Sequence, residues 1–147
     1  MKRPSLLVVD DAINLTLFYQ QELEDDGYRV DIANSTRTAA KLLETTSYDL
    51  IIMEPMMMEF EEIREFQQNM NHGRRTPVIV NTVNPEFECL RIFWGMEVCV
   101  IKSSDISSLK EQIEVLLQPG ENAKMSGGLD VKEHEHAEHC SQWIAAY

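Results

Sequence analysis

Five polar side chains, each within two residues of the end of an apolar run, are of types that bind or transfer phosphate. Carboxylates stand at Asp10, Asp11 and Glu54, a hydroxyl at Thr82 and an amine at Lys102. Carboxylate oxygens suit Mg²⁺, which also takes waters and phosphate oxygens as ligands. An ammonium and a hydroxyl can hydrogen-bond the oxygens of a phosphate. If folding brings these side chains together, they could form a site for phosphate and a divalent cation.

The apolar runs before these side chains predict buried strands. The central one is Tyr48–Met53, which ends at Glu54 and the strand-breaking Pro55. Its four consecutive apolar residues show no alternation, which indicates burial on both faces, as in a parallel sheet. The other predicted strands are Leu6–Val9, Tyr28–Ala33, Pro77–Thr82 and Val98–Ile101.

Helical spacing of apolar residues connects the strands. Asn34 or Ser35 is suited to cap the second helix, and Gly27 is suited to end the first. The five apolar stripes are Leu15, Phe18, Tyr19 and Leu23; Ala39, Ala40 and Leu43; Ile63, Phe66 and Met70; Phe87, Leu90 and Trp94; and Ile106, Leu109, Ile113, Leu116 and Leu117. Five strand-then-helix units predict an α/β fold with a parallel sheet. The strand ends then share one edge, where sites of such sheets are built.

Length and charge limit the possible functions. The chain has 147 residues and a formal net charge of −12, which favours one domain and disfavours nucleic acid as a partner. It has no apolar run long enough to cross a membrane and no signal-peptide pattern. The odd number of cysteines argues against a disulfide framework. We therefore expect a cytoplasmic protein with no membrane association, and with a protein or a cation as its partner.

From Ser5 to Leu117 the sequence resembles the receiver domain of bacterial and archaeal response regulators. The resemblance is carried by the pair Asp10-Asp11, the strand ending at Met53, the hydroxyl of Thr82 and the amine of Lys102. It implies a flavodoxin-like, doubly wound (βα)5 fold with strand order 2-1-3-4-5. It also implies signalling through a histidine kinase or a downstream effector, with no enzymatic activity. Residues 1–118 would form the domain.

Several positions depart from what the resemblance implies, including Met58 and Glu62, which replace a usual proline and glycine. Glu54 stands at the position of the phosphoaccepting aspartate, and Cys99 at that of the aromatic residue that moves with the switch hydroxyl. Ser103 replaces a proline whose preceding peptide bond is usually cis. Because a cis bond before a residue other than proline costs about 2.5–4 kcal/mol, we expect a trans Lys102–Ser103 bond.

Glu54 bears most directly on function. Glutamate is longer than aspartate by about one C–C bond, and a misplacement of about 1 Å can cost a hundredfold in rate. We therefore expect a stand-alone receiver that is not switched by phosphorylation and acts through protein–protein interaction. The alternative is a genuine Mg²⁺-dependent phosphoacceptor of a phosphorelay. Mg²⁺ binding stays open; by the resemblance its ligands would be Asp10, Asp11, Glu54 and the carbonyl of Met56. A flavin-binding protein is disfavoured, because the acidic loop after the first strand would repel a phosphate.

The remaining features concern partners. Aromatic residues in the fourth predicted helix make a homodimer plausible through the face formed by that helix, the fifth strand and the fifth helix. Residues 119–147 are predicted to form a linker and a partly helical tail. His136, His139 and Cys140 could share a helix face and bind Zn²⁺ or a similar metal, but the signal is weak because a structural site normally needs four ligands. The alternative is a polar helix with an apolar end that docks on the domain or on a partner.

Overall fold

The computed structural model of the chain describes residues 2–57, 62, 65, 76–84 and 96–118. The sheet and three helices lie within these ranges. A 3-10 turn, Pro55–Met57, follows the third strand. In chain order the strands and helices are β1 (Ser5–Val9), α1 (Ile13–Asp25), β2 (Arg29–Ala33), α2 (Thr36–Thr45), β3 (Leu50–Met53), β4 (Val78–Thr82), β5 (Val98–Ile101) and α3 (Ser107–Leu117).

The five strands form one parallel sheet in the order β2-β1-β3-β4-β5. This confirms the predicted doubly wound α/β fold and its strand order. Val9 lies opposite Met53, so β1 and β3 end level, whereas β4, whose Val80 lies opposite Met53, runs two residues further to Thr82. Residues that follow these strands therefore emerge side by side at the carboxyl edge of the sheet.

Apolar side chains cover both faces of the sheet, as the continuous apolar runs predicted. All four residues of β3 and all five of β4 are buried. On one face the core contains Leu7, Val9, Ala39, Ile51, Met53, Val78 and Val80. On the other it contains Leu6, Val8, Tyr19, Leu23, Ile52, Ile79, Val100, Leu109 and Ile113. Burial on both sides fixes the strand register, because each residue must meet the face that it fills.

Element boundaries agree with the sequence patterns to within two residues. β5 has the predicted bounds, whereas β3 begins at Leu50 rather than at Tyr48. One prediction within α1 is wrong. Phe18 was placed on the buried stripe, but it is 43% exposed, while the adjacent Tyr19 and the later Leu23 are buried. Neighbouring residues on a helix cannot both face inward, and Tyr19 takes the inward position.

Local signals set the helix ends. The hydroxyl of Ser35 accepts a hydrogen bond from the backbone N–H of Thr38 at 3.1 Å, so Ser35 rather than Asn34 caps α2. Gly27 follows α1 with φ of 98°, a left-handed conformation that suits glycine. The peptide bond between Lys102 and Ser103 is trans, as predicted.

Several predictions lie outside the described residues. They are the third and fourth helices, the aromatic face proposed for a homodimer, and the tail with His136, His139 and Cys140. The described part of the chain contains no helix long and apolar enough to span a bilayer.

Candidate functional site

Two buried carboxylates meet at the carboxyl edge of the sheet. Glu54 follows β3, and its backbone N–H donates to the carbonyl of Val9 at 2.9 Å. Asp10 follows β1, and its backbone N–H donates to the carbonyl of Ala33 at 3.1 Å. These bonds extend the ladder by one residue on each strand. Asp10 is 2% exposed and Glu54 is 4% exposed, so both acids need a partner within the protein.

That partner is the ammonium group of Lys102, which follows β5. Lys102 Nζ lies 2.7 Å from Asp10 Oδ2 and 2.9 Å from Glu54 Oε2. Its backbone N–H donates to the carbonyl of Thr82 at 2.8 Å, which fixes the start of the side chain beside β4. The lysine side chain is 15% exposed. One largely buried cation therefore bridges two buried anions.

The second oxygen of Glu54 is held by two donors. The hydroxyl of Thr82 donates to Glu54 Oε1 at 2.9 Å, and the backbone N–H of Met56 donates to the same atom at 3.0 Å. Thr82 is fully buried. Oε1 therefore accepts from a hydroxyl and an amide, whereas the buried Oε2 has only the ammonium of the ion pair beside it in the described part of the chain.

The charges of the site act on the pKa of Lys102. Burial by itself lowers this pKa, but hydrogen bonds to Asp10 and Glu54 outweigh that effect, and the pKa is raised above its ordinary value. The ammonium thus stays protonated at neutral pH. Asp10 Oδ1 accepts from the backbone N–H of Ala12 at 2.9 Å, which orients the carboxylate toward the lysine.

The structure thus brings together Asp10, Glu54, Thr82 and Lys102, as predicted from their positions at strand ends. Asp11 was expected in the same acidic pocket, but it is exposed and makes no hydrogen bond or ion pair with Glu54 or Lys102. Met56 contacts Glu54 through its N–H, and its side chain is 57% exposed. Cys99 is half-buried in β5, opposite Val80.

The described residues fit a Mg²⁺ ion poorly. Within them, no group of three or more His, Cys, Asp or Glu side chains is placed to hold a metal ion. The gap between Asp10 and Glu54, where a divalent cation would find two carboxylates, holds the ammonium of Lys102. A cation entering there would have to displace an amine that is bonded to both acids.

A buried polar pair that the sequence pattern did not predict lies beside this site. The side-chain amide of Asn81 donates to the hydroxyl of Tyr19 at 2.8 Å, and both residues are about 1% exposed. The signal was an asparagine inside an otherwise apolar strand. The apolar pattern around Asn81 predicts only that this residue lies near the end of the strand. A second contact that was missed is the Asn34 amide, which donates to the carbonyl of Asp10 at 2.8 Å.

Comparison with protein families identifies one matching model. It is described as the response regulator receiver domain, and it matches residues 6–114. Among curated proteins, the chain is 27% identical over 121 residues to the response regulator ArlR of Staphylococcus saprophyticus, covering 80% of this chain and 54% of that protein. It is 30% identical over 115 residues to the regulatory protein AtoC of Escherichia coli K12, covering 77% and 25%. The chain thus spans about half or less of the length of these relatives.

Solved structures show the same fold. The response regulator TrrA from Thermotoga maritima, determined in complex with Mg²⁺-BeF, matches with a TM-score of 0.69 and 26% identity. The alignment covers 78% of this chain and 99% of that structure. The chemotaxis protein CheY4 of Vibrio cholerae matches with a TM-score of 0.70 at 22% identity, covering 79% and 100%.

Proposed function

The chain belongs to the response regulator receiver domain family of two-component signalling, and from this premise we propose that its signalling state does not depend on phosphorylation. In this proposal the carboxylate of Glu54 itself holds the switch hydroxyl and the lysine. The observation that carries the proposal is the pair of contacts from Glu54 to Thr82 at 2.9 Å and to Lys102 at 2.9 Å.

The contacts of Glu54 favour a role in holding Thr82 and Lys102 over a role as phosphoryl acceptor. A carboxylate that accepts a phosphoryl group must direct a free oxygen in line with the incoming phosphorus. Oε1 of Glu54 already accepts two hydrogen bonds, and the buried Oε2 has as its one partner in the described part of the chain the ammonium of Lys102, which is shared with Asp10. Freeing one oxygen would leave a buried hydroxyl or a buried ammonium with fewer partners, which costs stability.

We further propose that the domain works without Mg²⁺. TrrA was determined with Mg²⁺-BeF, but in this chain the ammonium of Lys102 already pairs with both Asp10 and Glu54, and Asp11 is exposed. The protein therefore places one positive charge of its own between the two acids, where a divalent cation would place two. The output in this proposal is binding of a protein partner, as response regulators bind kinases and effectors.

The alternative is a Mg²⁺-dependent phosphoacceptor, and the similarity to TrrA is what favours it. Incubation with acetyl phosphate and Mg²⁺, followed by intact-mass spectrometry, separates the two. We expect no phosphoryl adduct on the natural protein. Glu54→Asp shortens the arm to the length that the family uses, and we expect this variant to gain an adduct that hydroxylamine removes.

Glu54→Gln is the matched control, since an amide of the same length is not a phosphoryl acceptor. An adduct on the natural protein that hydroxylamine removes and that Glu54→Gln abolishes would overturn the proposal. Partner binding gives a second measurement: the proteins captured by the natural chain should be the same with and without acetyl phosphate. A partner captured only after treatment would support the alternative.

A further inference from the structure

The buried pair Tyr19–Asn81 ties α1 to β4 next to the switch hydroxyl. The Asn81 amide donates to the hydroxyl of Tyr19 at 2.8 Å, across 62 positions of the chain. All five residues of β4 are buried, and Asn81 lies on the face that contains Tyr19, Ile79 and Val100. An apolar side chain at this position would fill that face without requiring a partner.

An asparagine at this core position lowers stability relative to an apolar residue. Its side-chain oxygen Oδ1 has no hydrogen-bond partner in the described part of the chain. Turning the amide over would let Tyr19 donate to the oxygen, but it would leave the NH₂ group unpaired instead. Either orientation costs stability relative to an apolar side chain. A polar pair in a core can be retained because it fixes one arrangement of the elements around it.

The Tyr19–Asn81 bond would fix the rotation of the end of β4. Asn81 and Thr82 are consecutive, so their side chains leave the strand on opposite faces. A rotation of the strand end that moves one therefore moves the other. The carbonyl of Thr82 also accepts from the N–H of Lys102 at 2.8 Å, so the same segment supports the lysine.

The phenol of Tyr19 lies close enough to the site to sense its charges. Burial raises the pKa of Tyr19, the hydrogen bond from Asn81 lowers it, and the charges of Lys102, Asp10 and Glu54 act on it as well. The hydroxyl of Tyr19 thus stands between the apolar core and the ionic site, and it is protonated at neutral pH.

We propose that Tyr19 and Asn81 are positioning residues that hold the end of β4 in the rotation that directs the Thr82 hydroxyl to Glu54. The inference rests on the proposed function, in which Thr82 stays engaged without phosphorylation. The inference adds the interaction that keeps the Thr82 hydroxyl bonded to Glu54, which is the hydrogen bond between α1 and β4 on the opposite face of the strand.

The test measures the side-chain rotamer of Thr82 in the full chain by three-bond NMR couplings to its methyl carbon. In the natural protein we expect one rotamer. Tyr19→Phe keeps the ring and removes only the hydroxyl, and Asn81→Leu keeps the approximate shape and removes the amide. In each variant we expect the ratio of the original rotamer to the others to fall about fivefold, the factor for one modest hydrogen bond. The double variant should be no worse than the singles, because all three lack the same bond.

Thr16→Val is the matched control. Thr16 is fully buried one turn before Tyr19. Its hydroxyl donates to the carbonyl of Ile13 at 2.8 Å and accepts from the side-chain amide of Asn34 at 3.0 Å, and among the described residues it makes no hydrogen bond to β4. We expect this variant to lose stability and keep the Thr82 rotamer. An equal change in Thr16→Val would mean general loosening and would overturn the inference.

The outcomes separate the two proposals. If the Thr82 side chain averages between rotamers in the natural protein, both the proposed function and this inference are contradicted. A single rotamer that persists in Tyr19→Phe would overturn the inference alone. If Asn81→Leu does not fold, Tyr19→Phe still decides, since it changes no packing volume other than one oxygen.

Discussion

Replacing Lys102 with methionine removes the charge that the site depends on and keeps most of the side-chain volume. Lys102 Nζ lies within 3 Å of one oxygen on each of two buried carboxylates. At an effective dielectric of about 20, opposite unit charges about 4 Å apart attract by about 4 kcal/mol. The gain is offset in part by the cost of burying the ammonium. Removing one partner of a buried ion pair typically costs about 3–5 kcal/mol, which is the loss that we expect for Lys102→Met.

The assay is urea unfolding at neutral pH, followed by circular dichroism. The matched control is Lys110→Met, because Lys110 also bridges two acids, Glu22 at 3.0 Å and Asp26 at 3.1 Å. Those acids are 37% and 41% exposed, so solvent screens the interaction. We expect a loss of at most about 1 kcal/mol in the control.

A second variant tests the reason for the loss. In Lys102→Met the carboxylates of Asp10 and Glu54 are left buried together with no cation. Adding Glu54→Gln removes one of the two charges, so the double variant should be more stable than Lys102→Met alone. A loss under about 1 kcal/mol in Lys102→Met would refute the reasoning, since exposed pairs reach that value. So would a double variant less stable than the single.

Three further predictions concern stability. Thr82→Val removes a hydroxyl bonded to the charged Glu54 and should cost about 1.5–3 kcal/mol in urea unfolding; a loss below about 0.5 kcal/mol would contradict the contact. Folding raises the pKa of Lys102 above its ordinary 10.5 and that of Tyr19 above its ordinary 10.0. As pH rises, the unfolded chain therefore releases these two protons before the folded chain does. The contribution of the two groups to the free energy of unfolding is complete below about pH 10 and should be lost as pH rises through the raised pKa values. Equal urea midpoints at about pH 9 and about pH 11 would argue against it. Gly27→Ala should cost about 1–2 kcal/mol, because φ is 98° and nothing lies within 4 Å of the added carbon, so the whole cost is in the backbone; thermal melting that shows no loss would exclude that conformation.

The fold was predictable because the apolar runs that form strands and the residues that end strands and helices are local signals in the sequence. Unbroken apolar runs indicated strands buried on two faces, and Pro55 and Gly27 marked ends that the structure confirms. The strand order came from the family resemblance rather than from the runs themselves. Phe18 could not be placed correctly from its spacing, since a helical stripe that includes two adjacent aromatics does not say which of them faces the core.

The site was predictable in its members and less so in its contacts. Positions at the ends of parallel strands indicated that Asp10, Glu54, Thr82 and Lys102 would meet. Nothing in the order of residues could distinguish Asp10 from Asp11, because the loop conformation after Val9 decides which of the two turns inward. The Tyr19–Asn81 bond joins residues far apart in the chain, and only their packing on one face of the sheet shows the partnership.

The position of β5 at the margin of the sheet gives the ionic site a mechanical role. This strand has four residues and a single neighbouring strand, β4. Directly beyond its last residue, Ile101, the backbone and the amine of Lys102 are both anchored to groups on other strands. We expect an event that pulls the amine away to weaken the pairing at the end of β5, because only the backbone bond of Lys102 to Thr82 would then hold this residue. Amide hydrogen exchange along β5 would therefore report, residue by residue, whether the charges at the sheet edge are engaged.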